Sequence, residues 1–198
     1  LNIYKGEFIG IQGKSGIGKT TFFDLIMGFN LNYTGKILID NISLLDLNLE
    51  SFRENFTYIS QDKFFFDMTI YENIIYGMEK APSRDEIYKI FLNFNLNEIF
   101  DEKNFLDKKI YKNGVNLSGG QRQTIDILRG YVRNKNIFLF DESTNALDKK
   151  TEIQILNIIR TLSGLKKTVL IISHDNSVLE QCDRKYIIEN KNITNLHS

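Results

Sequence analysis

The residues with the clearest chemical potential lie in a glycine-rich segment near the amino terminus. Residues 13–20 read GKSGIGKT, which matches G-x-x-x-x-G-K-[ST] between a predicted strand and a predicted helix. Glycines let backbone N–H groups surround a phosphate, and the helix amino terminus adds a partial positive charge. Lys19 is expected to reach the β- and γ-phosphates, and the Thr20 hydroxyl to bind Mg²⁺. The expected nucleotide-binding residues are Gly13, Lys14, Ser15, Gly16, Ile17, Gly18, Lys19, Thr20 and Thr21.

Two adjacent acids follow a second apolar run. Residues 137–140 are Ile-Phe-Leu-Phe, and Asp141 and Glu142 come directly after them. A buried parallel strand delivers its carboxyl-terminal residues to the ligand-binding edge of an α/β sheet. Asp141 is therefore expected to hold Mg²⁺ through its water shell, and Glu142 to accept a proton from the attacking water. In isolation, the pair could equally be solvated acids at a strand end.

A second glycine-containing segment precedes another predicted helix. It consists of Leu117, Ser118, Gly119, Gly120 and Gln121. Its backbone amides and the Ser118 hydroxyl form a second anion site, although Ser118 could also be a simple helix cap. Because one triphosphate does not need two such sites from one chain, two possibilities stay open. Either the chain binds two anions, or the second segment serves a nucleotide held by another chain.

The elements that must position these residues alternate between short apolar runs and helical stretches. The predicted strands are residues 8–11, 37–39, 56–59, 137–140, 169–172 and 186–188. Several runs are apolar on both faces, which predicts an α/β fold with a mostly parallel, doubly covered sheet. A capping-box start at Ser83 and a helix after Gly120 indicate a mainly helical middle. The sequence thus predicts an α/β core of residues 1–66 and 133–198 with an inserted helical subdomain, residues 67–132.

The composition narrows the possible classes of protein. The 198 residues include 25 basic and 25 acidic side chains, so the basic excess of a dedicated nucleic-acid binder is missing and no nucleic-acid partner is expected. No apolar run approaches the roughly 20 residues of a membrane-spanning helix. The single cysteine, Cys182, excludes an intramolecular disulfide. Since the chain begins with Leu1, we expect it to be part of a longer protein.

In type and order, these segments resemble the nucleotide-binding domain of an ATP-binding cassette (ABC) transporter. The matching motifs are the Walker A loop (residues 13–20), the Q-loop Gln61, the signature (residues 117–121), Walker B (residues 137–141) with Glu142, the D-loop (residues 145–148) and the switch His174. The resemblance implies a P-loop NTPase with a RecA-like core and a small antiparallel β part. It places the first strands of that part, and the aromatic residue that stacks on adenine, upstream of Leu1.

The resemblance also implies a mechanism. Gln61 would touch Mg²⁺ or the attacking water, His174 would contact the γ-phosphate, and Asp148 would act across a dimer interface. ATP and Mg²⁺ are the implied cofactors. The implied partner is a second cassette in a head-to-tail homodimer or pseudo-dimer, with each ATP held between the Walker A loop of one subunit and the signature of the other.

Residues 59–74 and 143–148 are similar to exporter-type cassettes, which are usually fused behind six membrane helices. This similarity implies transmembrane domains upstream and a location at the cytoplasmic face of a membrane, in bacteria the inner membrane. The alternative is a soluble ABC ATPase that acts on ribosomes or nucleic acid. The segment between Thr20 and Leu117 is too short for the coiled coil of chromosome-maintenance members, and the zero net charge disfavours translation members.

Two stretches depart from the family pattern. Residues 108–112 read Lys-Lys-Ile-Tyr-Lys where exporters carry an acidic segment, which bears on the contact with transmembrane domains. The helix after the signature has Thr124, Asp126 and Gly130 where the family favours arginine and alanine. Asp and Gly are weak helix formers, so modest local destabilisation is expected.

Overall fold

A six-stranded sheet forms the centre of the computed structural model, which describes residues 1–60, 63–100, 104–143, 147–190 and 192–196. Its spatial order is β4-β5-β6-β1-β7-β8, and β2 pairs with β3 in a separate hairpin. The strands are β1 (Phe8–Gly13), β2 (Leu38–Ile39), β3 (Ile42–Ser43), β4 (Phe56–Ile59), β5 (Ile137–Asp141), β6 (Thr168–Ile172), β7 (Arg184–Glu189) and β8 (Asn192–Asn195). All neighbours in the large sheet are parallel except β7 and β8. The predicted α/β fold with a mostly parallel sheet is confirmed.

The helices occupy the connections between the strands. They are α1 (Lys19–Ile26), α2 (Leu49–Arg53), α3 (Ile70–Ile75), α4 (Arg84–Asn93), α5 (Gly119–Val132), α6 (Lys149–Gly164) and α7 (Asn176–Leu179). The capping box predicted at Ser83 is present, since its side chain accepts from Glu86 N–H while Glu86 binds back to the Ser83 N–H. Thr69 and Ser118 begin α3 and α5 with the same reciprocal arrangement. None of the described helices is both long and apolar enough to cross a membrane.

The two faces of the sheet are covered by separate apolar clusters. Phe138 and Phe140 of β5 lie in one cluster, together with residues of α3, α5 and α6, whereas Leu139 lies in the other. The second cluster includes Phe23 of α1, whose side chain is completely buried. Because side chains alternate along a strand, runs that are apolar at every position fit a sheet covered on both sides.

The strand register determines where the polar residues meet. Asp141 at the end of β5 pairs with Ile172 at the end of β6, and Ile172 pairs with Ile11 of β1. The segments that follow these three strands therefore leave the sheet at one edge. This edge is where an open α/β sheet binds its ligands.

Between β4 and β5 the described chain is mainly helical, from α3 to α5. Its packing on the sheet is close at Gly130 of α5, where an added Cβ would lie 2.1 Å from Thr57 Oγ1. Phe91 of α4 stacks on Phe105, with ring centroids 4.2 Å apart. The division of the chain at residues 67 and 132 stays a prediction.

Candidate active site

The loop between β1 and α1 has the backbone conformation of an anion-binding cradle. Gly16 and Gly18 have φ of +75° and +106°, values that glycine adopts without strain. A Cβ at either position would meet nothing within 4 Å, so conformation rather than space requires glycine. Gly18 caps α1 without any side-chain hydrogen bond, and the first turn of α1 carries no acidic residue. The amide groups of this turn are thus suited to receive an anion.

Lys19 is the centre of the site, and its side chain is only 5% exposed. Its ammonium Nζ donates to the carbonyl oxygens of Gly13 at 2.8 Å and Lys14 at 3.1 Å. The same atom lies 3.0 Å from Glu142 Oε1 and 3.1 Å from His174 Nε2. Lys19, Glu142 and His174 follow three different strands and therefore meet at one amine.

Glu142 is held by both its backbone and its carboxylate. Its φ of +48° is unusual for a residue with a side chain. Its N–H donates to Ile172 O at 3.2 Å, which ties the residue to the end of β6. Burial by itself would raise the pKa of Glu142, but hydrogen bonds and positive charge from Lys19 and His174 hold it below the ordinary value. The carboxylate is consequently ionised at neutral pH.

His174 lies beside both charged partners. Its Nε2 is 3.1 Å from Lys19 Nζ and 3.1 Å from Glu142 Oε1, and 42% of the side chain is exposed. Unprotonated Nε2 accepts from Lys19, whereas protonated Nε2 donates to Glu142. The tautomer of the imidazole therefore decides which of the two partners Nε2 hydrogen-bonds.

Asp141 accepts two hydrogen bonds on one oxygen. The Thr20 hydroxyl donates to Oδ2 at 2.8 Å, and the Tyr58 hydroxyl donates to the same atom at 2.7 Å. Burial, together with the hydrogen bond and charge of Asp141 and the charge of Asp24, raises the pKa of Tyr58. A threonine hydroxyl beside a carboxylate is the oxygen donor set that Mg²⁺ accepts when phosphate oxygens and water complete its shell. Thr20 and Asp141 therefore fit a magnesium ion that accompanies a nucleotide.

The second glycine segment forms the amino terminus of α5. Ser118 is exposed, and its Oγ accepts from the Gln121 N–H at 3.2 Å. An added Cβ would lie 2.8 Å from Leu147 Cδ2 at Gly119 and 2.2 Å from Thr151 Cγ2 at Gly120. Packing against Thr151 of α6 therefore favours glycine at position 120, whereas at position 119 an added Cβ would meet only the flexible end of Leu147. Within the described ranges, no hydrogen bond or ion pair joins this segment to Lys19.

The residues that begin α6 form their own polar network. Asp148 caps the helix, since its Oδ1 accepts from Thr151 N–H at 3.0 Å and its Oδ2 from Thr151 Oγ1 at 2.7 Å. Both hydrogen bonds lower the pKa of Asp148. Lys149 connects the same turn to the residue after His174, because its Nζ lies 3.1 Å from Asp175 Oδ2. Sequence reasoning did not identify this connection.

The residues of α5 that depart from the family pattern lie in different environments. Asp126 pairs with Arg129 at 2.8 Å, and Arg129 also donates to the carbonyl oxygens of Asn73 and Phe64. Burial raises the pKa of Asp126, although the positive charges of Arg129 and Lys63 oppose this shift. By contrast, the buried Thr124 hydroxyl has no hydrogen-bond partner in the described part of the chain.

Parts of two predicted motifs lie outside the described residues, and one residue of the site was not predicted. Gln61 and residues 145–146 of the D-loop lie outside the residues that the structure describes. Tyr58 was missed, although a tyrosine three positions before Gln61 in an otherwise mainly apolar strand was a usable signal. No cluster of three or more acidic, histidine or cysteine side chains that could hold a metal by themselves occurs among the described residues.

Known proteins match most of this chain in sequence. Residues 1–145 match the family model described as ABC transporter. The chain is 34% identical over 190 residues to the ATP-dependent lipid A-core flippase of Francisella novicida, a match that covers 96% of this chain and 32% of the flippase. It is 37% identical over 194 residues to the uncharacterized ABC transporter ATP-binding protein YwjA of Bacillus subtilis, covering 98% and 33% of the two chains.

The chain is also similar to a solved structure. The structure of a bacterial Atm1-family ABC exporter with ATP bound superimposes with a TM-score of 0.83 and 32% identity, over 96% of this chain and 33% of that one. The chain thus spans about a third of the length of the curated relatives it matches.

Proposed function

Because the chain belongs to the ABC transporter family, we propose that it binds and hydrolyses ATP to drive export across a membrane. The observation that carries this proposal is the meeting of Lys19, Glu142 and His174 within 3.0–3.1 Å of one another at the carboxyl edge of the sheet. A buried cation, an ionised carboxylate and an imidazole beside a glycine cradle are suited to phosphoryl transfer to water.

The cradle residues would bind the triphosphate. Backbone N–H groups of residues 13–20 and the first turn of α1, including Thr21, would surround the β-phosphate. Lys19 would exchange Glu142 for phosphate oxygens as partners. Such an exchange keeps a buried ammonium paired throughout, which avoids the cost of an isolated buried charge. It also releases the Glu142 carboxylate toward the water that attacks.

Glu142 is the proposed general base. Its ionised carboxylate, released when Lys19 turns to the phosphate oxygens, would accept the proton of a water molecule. His174 would contact the γ-phosphate with Nε2 once Lys19 has changed partners. Both residues follow strands of the rigid sheet, so their spacing is fixed by the β5–β6 register.

Thr20 and Asp141 are the proposed holders of Mg²⁺, and Gln61 is the proposed third residue. When bound, Mg²⁺ would neutralise charge on the phosphate oxygens. The Thr20 hydroxyl can keep its hydrogen bond to Asp141 Oδ2 while its oxygen faces the cation.

A second cassette is the proposed partner across the nucleotide. Ser118, Gly119, Gly120 and Gln121 would face the ATP held by the other subunit, with Asp148 at the same interface. The exposure of Ser118 at the amino terminus of the 14-residue helix α5 supports this arrangement. Residues 67–132 would then act as the helical subdomain that carries the signature.

Membrane domains are proposed as the driven partner. One relative named above is a lipid A-core flippase, of which this chain matches 32% of the length. We infer transmembrane domains fused upstream and a cassette at the cytoplasmic face of a membrane, the inner membrane in bacteria. The cargo is determined outside the matched region.

Replacement of Glu142 by glutamine tests the proposed function. Glu142→Gln keeps the size of the side chain but removes the base, so ATP should still bind while turnover falls by at least about a hundredfold. Size-exclusion chromatography with ATP should then detect a trapped dimer. Rapid hydrolysis by this variant would remove Glu142 as the base.

A further inference from the structure

Tyr58 reaches from β4 to the carboxylate that ends the neighbouring strand. Its hydroxyl donates to Asp141 Oδ2 at 2.7 Å, while the Thr20 hydroxyl donates to the same oxygen at 2.8 Å. One donor thus comes from the helix after the cradle and the other from the adjacent strand. Two donors on one oxygen, from different directions, determine the rotation of a carboxylate better than one does.

On the basis of the proposed function, we propose that Tyr58 is a positioning residue that orients Asp141 toward the magnesium ion of the nucleotide. Because a carboxylate is planar, fixing Oδ2 between two donors also fixes the direction of Oδ1. The second oxygen is thereby aimed before the cation arrives. Tyr58 acts through Asp141 and has no contact of its own with the reacting atoms in this assignment.

The ring of Tyr58 is placed firmly enough for this role. Its edge packs against Phe23 of α1, with ring centroids 6.2 Å apart and an angle of 89° between the rings. Phe23 is completely buried, and it lies on the same helix as Thr20. On the strand side, Tyr58 pairs in register with Leu139, two residues before Asp141. Tyr58 therefore contacts both α1, which supplies the Thr20 donor, and β5, which supplies the Asp141 acceptor.

Packing and positioning make different predictions for phenylalanine at this site. Tyr58→Phe keeps the ring and its contact with Phe23, and it removes only the hydroxyl. If Tyr58 served packing alone, the substitution would leave the metal dependence of nucleotide binding unchanged. If the hydroxyl positions Asp141, its removal would leave the binding of metal-free ATP unchanged. It would reduce only the gain in affinity that the metal provides.

The experiment measures ATP affinity of the full chain by isothermal titration calorimetry, in excess EDTA and in excess Mg²⁺. For Tyr58→Phe, we expect affinity in EDTA within about twofold of the parent, and a gain in affinity on adding Mg²⁺ that is about three- to tenfold smaller. Electron paramagnetic resonance of Mn²⁺ with ATP should show a matching loss of bound Mn²⁺. The control is Tyr88→Phe, since Tyr88 is 39% exposed and Tyr58 is 40% exposed.

Each outcome decides one question. If Tyr58→Phe shows the same gain from Mg²⁺ as the parent and Tyr88→Phe, the positioning role is overturned. A Lys19→Ala variant, measured alongside, separates this result from the proposed function. If Lys19→Ala keeps the parent affinity for ATP, the nucleotide site itself is wrong, and the role of Tyr58 falls with it.

Discussion

The two glycine segments of this chain both lead into a helix but differ in what they contact. At the first, Lys19 is 5% exposed, and its ammonium is paired with groups that follow β1, β5 and β6. At the second, Ser118 is exposed at the start of α5, and the glycines behind it pack against Leu147 and Thr151. The first segment thus contacts charged groups of its own chain. In the second segment, the glycines lie against neighbouring side chains and the helix end faces outward.

This difference shows that glycine serves two separate physical needs here. In the first segment, Gly16 and Gly18 adopt φ values that other residues avoid. In the second, Gly120 lies in a helix where alanine would be preferred, but a methyl group would collide with Thr151. The first need is conformational and the second is steric, so substitutions should separate them.

The largest effect is expected at the first segment. Lys19→Ala removes a buried ammonium that can donate to phosphate oxygens, and hydrogen bonds to charged groups contribute about 1.5–3 kcal/mol each. ATP affinity should therefore fall by about a hundredfold or more, as measured by isothermal titration calorimetry. The control is Lys36→Ala, an exposed lysine away from the site, which should bind as the parent does. Equal affinity of the two variants would show that the first segment is not the nucleotide site.

An intermediate effect, on stability, is expected at the second segment. Gly120→Ala should destabilise the fold by about 2 kcal/mol in urea denaturation, because its Cβ must displace the Thr151 methyl. Gly164→Ala is the matched control at the end of α6, where an added Cβ meets nothing within 4 Å. It should be neutral or slightly stabilising.

A second substitution sharpens this test. Thr151→Ser removes the methyl group that Gly120 approaches, but it keeps the hydroxyl that donates to Asp148. The double variant Gly120→Ala, Thr151→Ser should therefore recover most of the lost stability. If the double variant is no more stable than Gly120→Ala, close packing does not explain the glycine.

The smallest effect is expected where α6 meets the segment after His174. Lys149 and Asp175 are 3.1 Å apart but 60% and 41% exposed, so Lys149→Met should lower the urea midpoint only slightly. Hydrogen bonds from Ser177 and from Lys149 hold the pKa of Asp175 below its ordinary value. The stability from this low pKa is present above the unfolded pKa of about 3.9 and is lost as the pH falls through the folded value.

The difference between the parent and Lys149→Met should accordingly shrink in strongly acidic solution. The adjacent Lys150→Met provides the control, since Lys150 is also exposed. Equal sensitivity to acid in both variants would indicate that Asp175 does not depend on Lys149.

Much of the site could be predicted because its parts are local in sequence. The pattern at residues 13–20 and the acids after residues 137–140 each combine a strand with the residues that follow it, and parallel strands bring such residues together. Tyr58 could not be placed in this way, since its contact with Asp141 depends on the β4–β5 register and on the length of a tyrosine side chain.

Other features could not be predicted from the sequence because they depend on how closely separate elements approach each other. The glycines of the signature were predicted to bind an anion, but the packing of Gly120 against Thr151 depends on how α5 approaches α6. Gly130 was expected only to weaken α5, whereas its missing side chain lets the helix approach Thr57. The strand β8 was missed, since residues 192–195 are mostly polar and pair antiparallel with β7 at the sheet edge.

The left-handed backbone at Glu142 has an evolutionary consequence. With φ at +48°, glycine or asparagine would be less strained at this position, yet this chain carries glutamate there. A lineage that no longer required the carboxylate could gain folding stability by drifting toward either residue. In the mechanism proposed above, the chemistry of Glu142 opposes this drift, whereas its backbone conformation favours it.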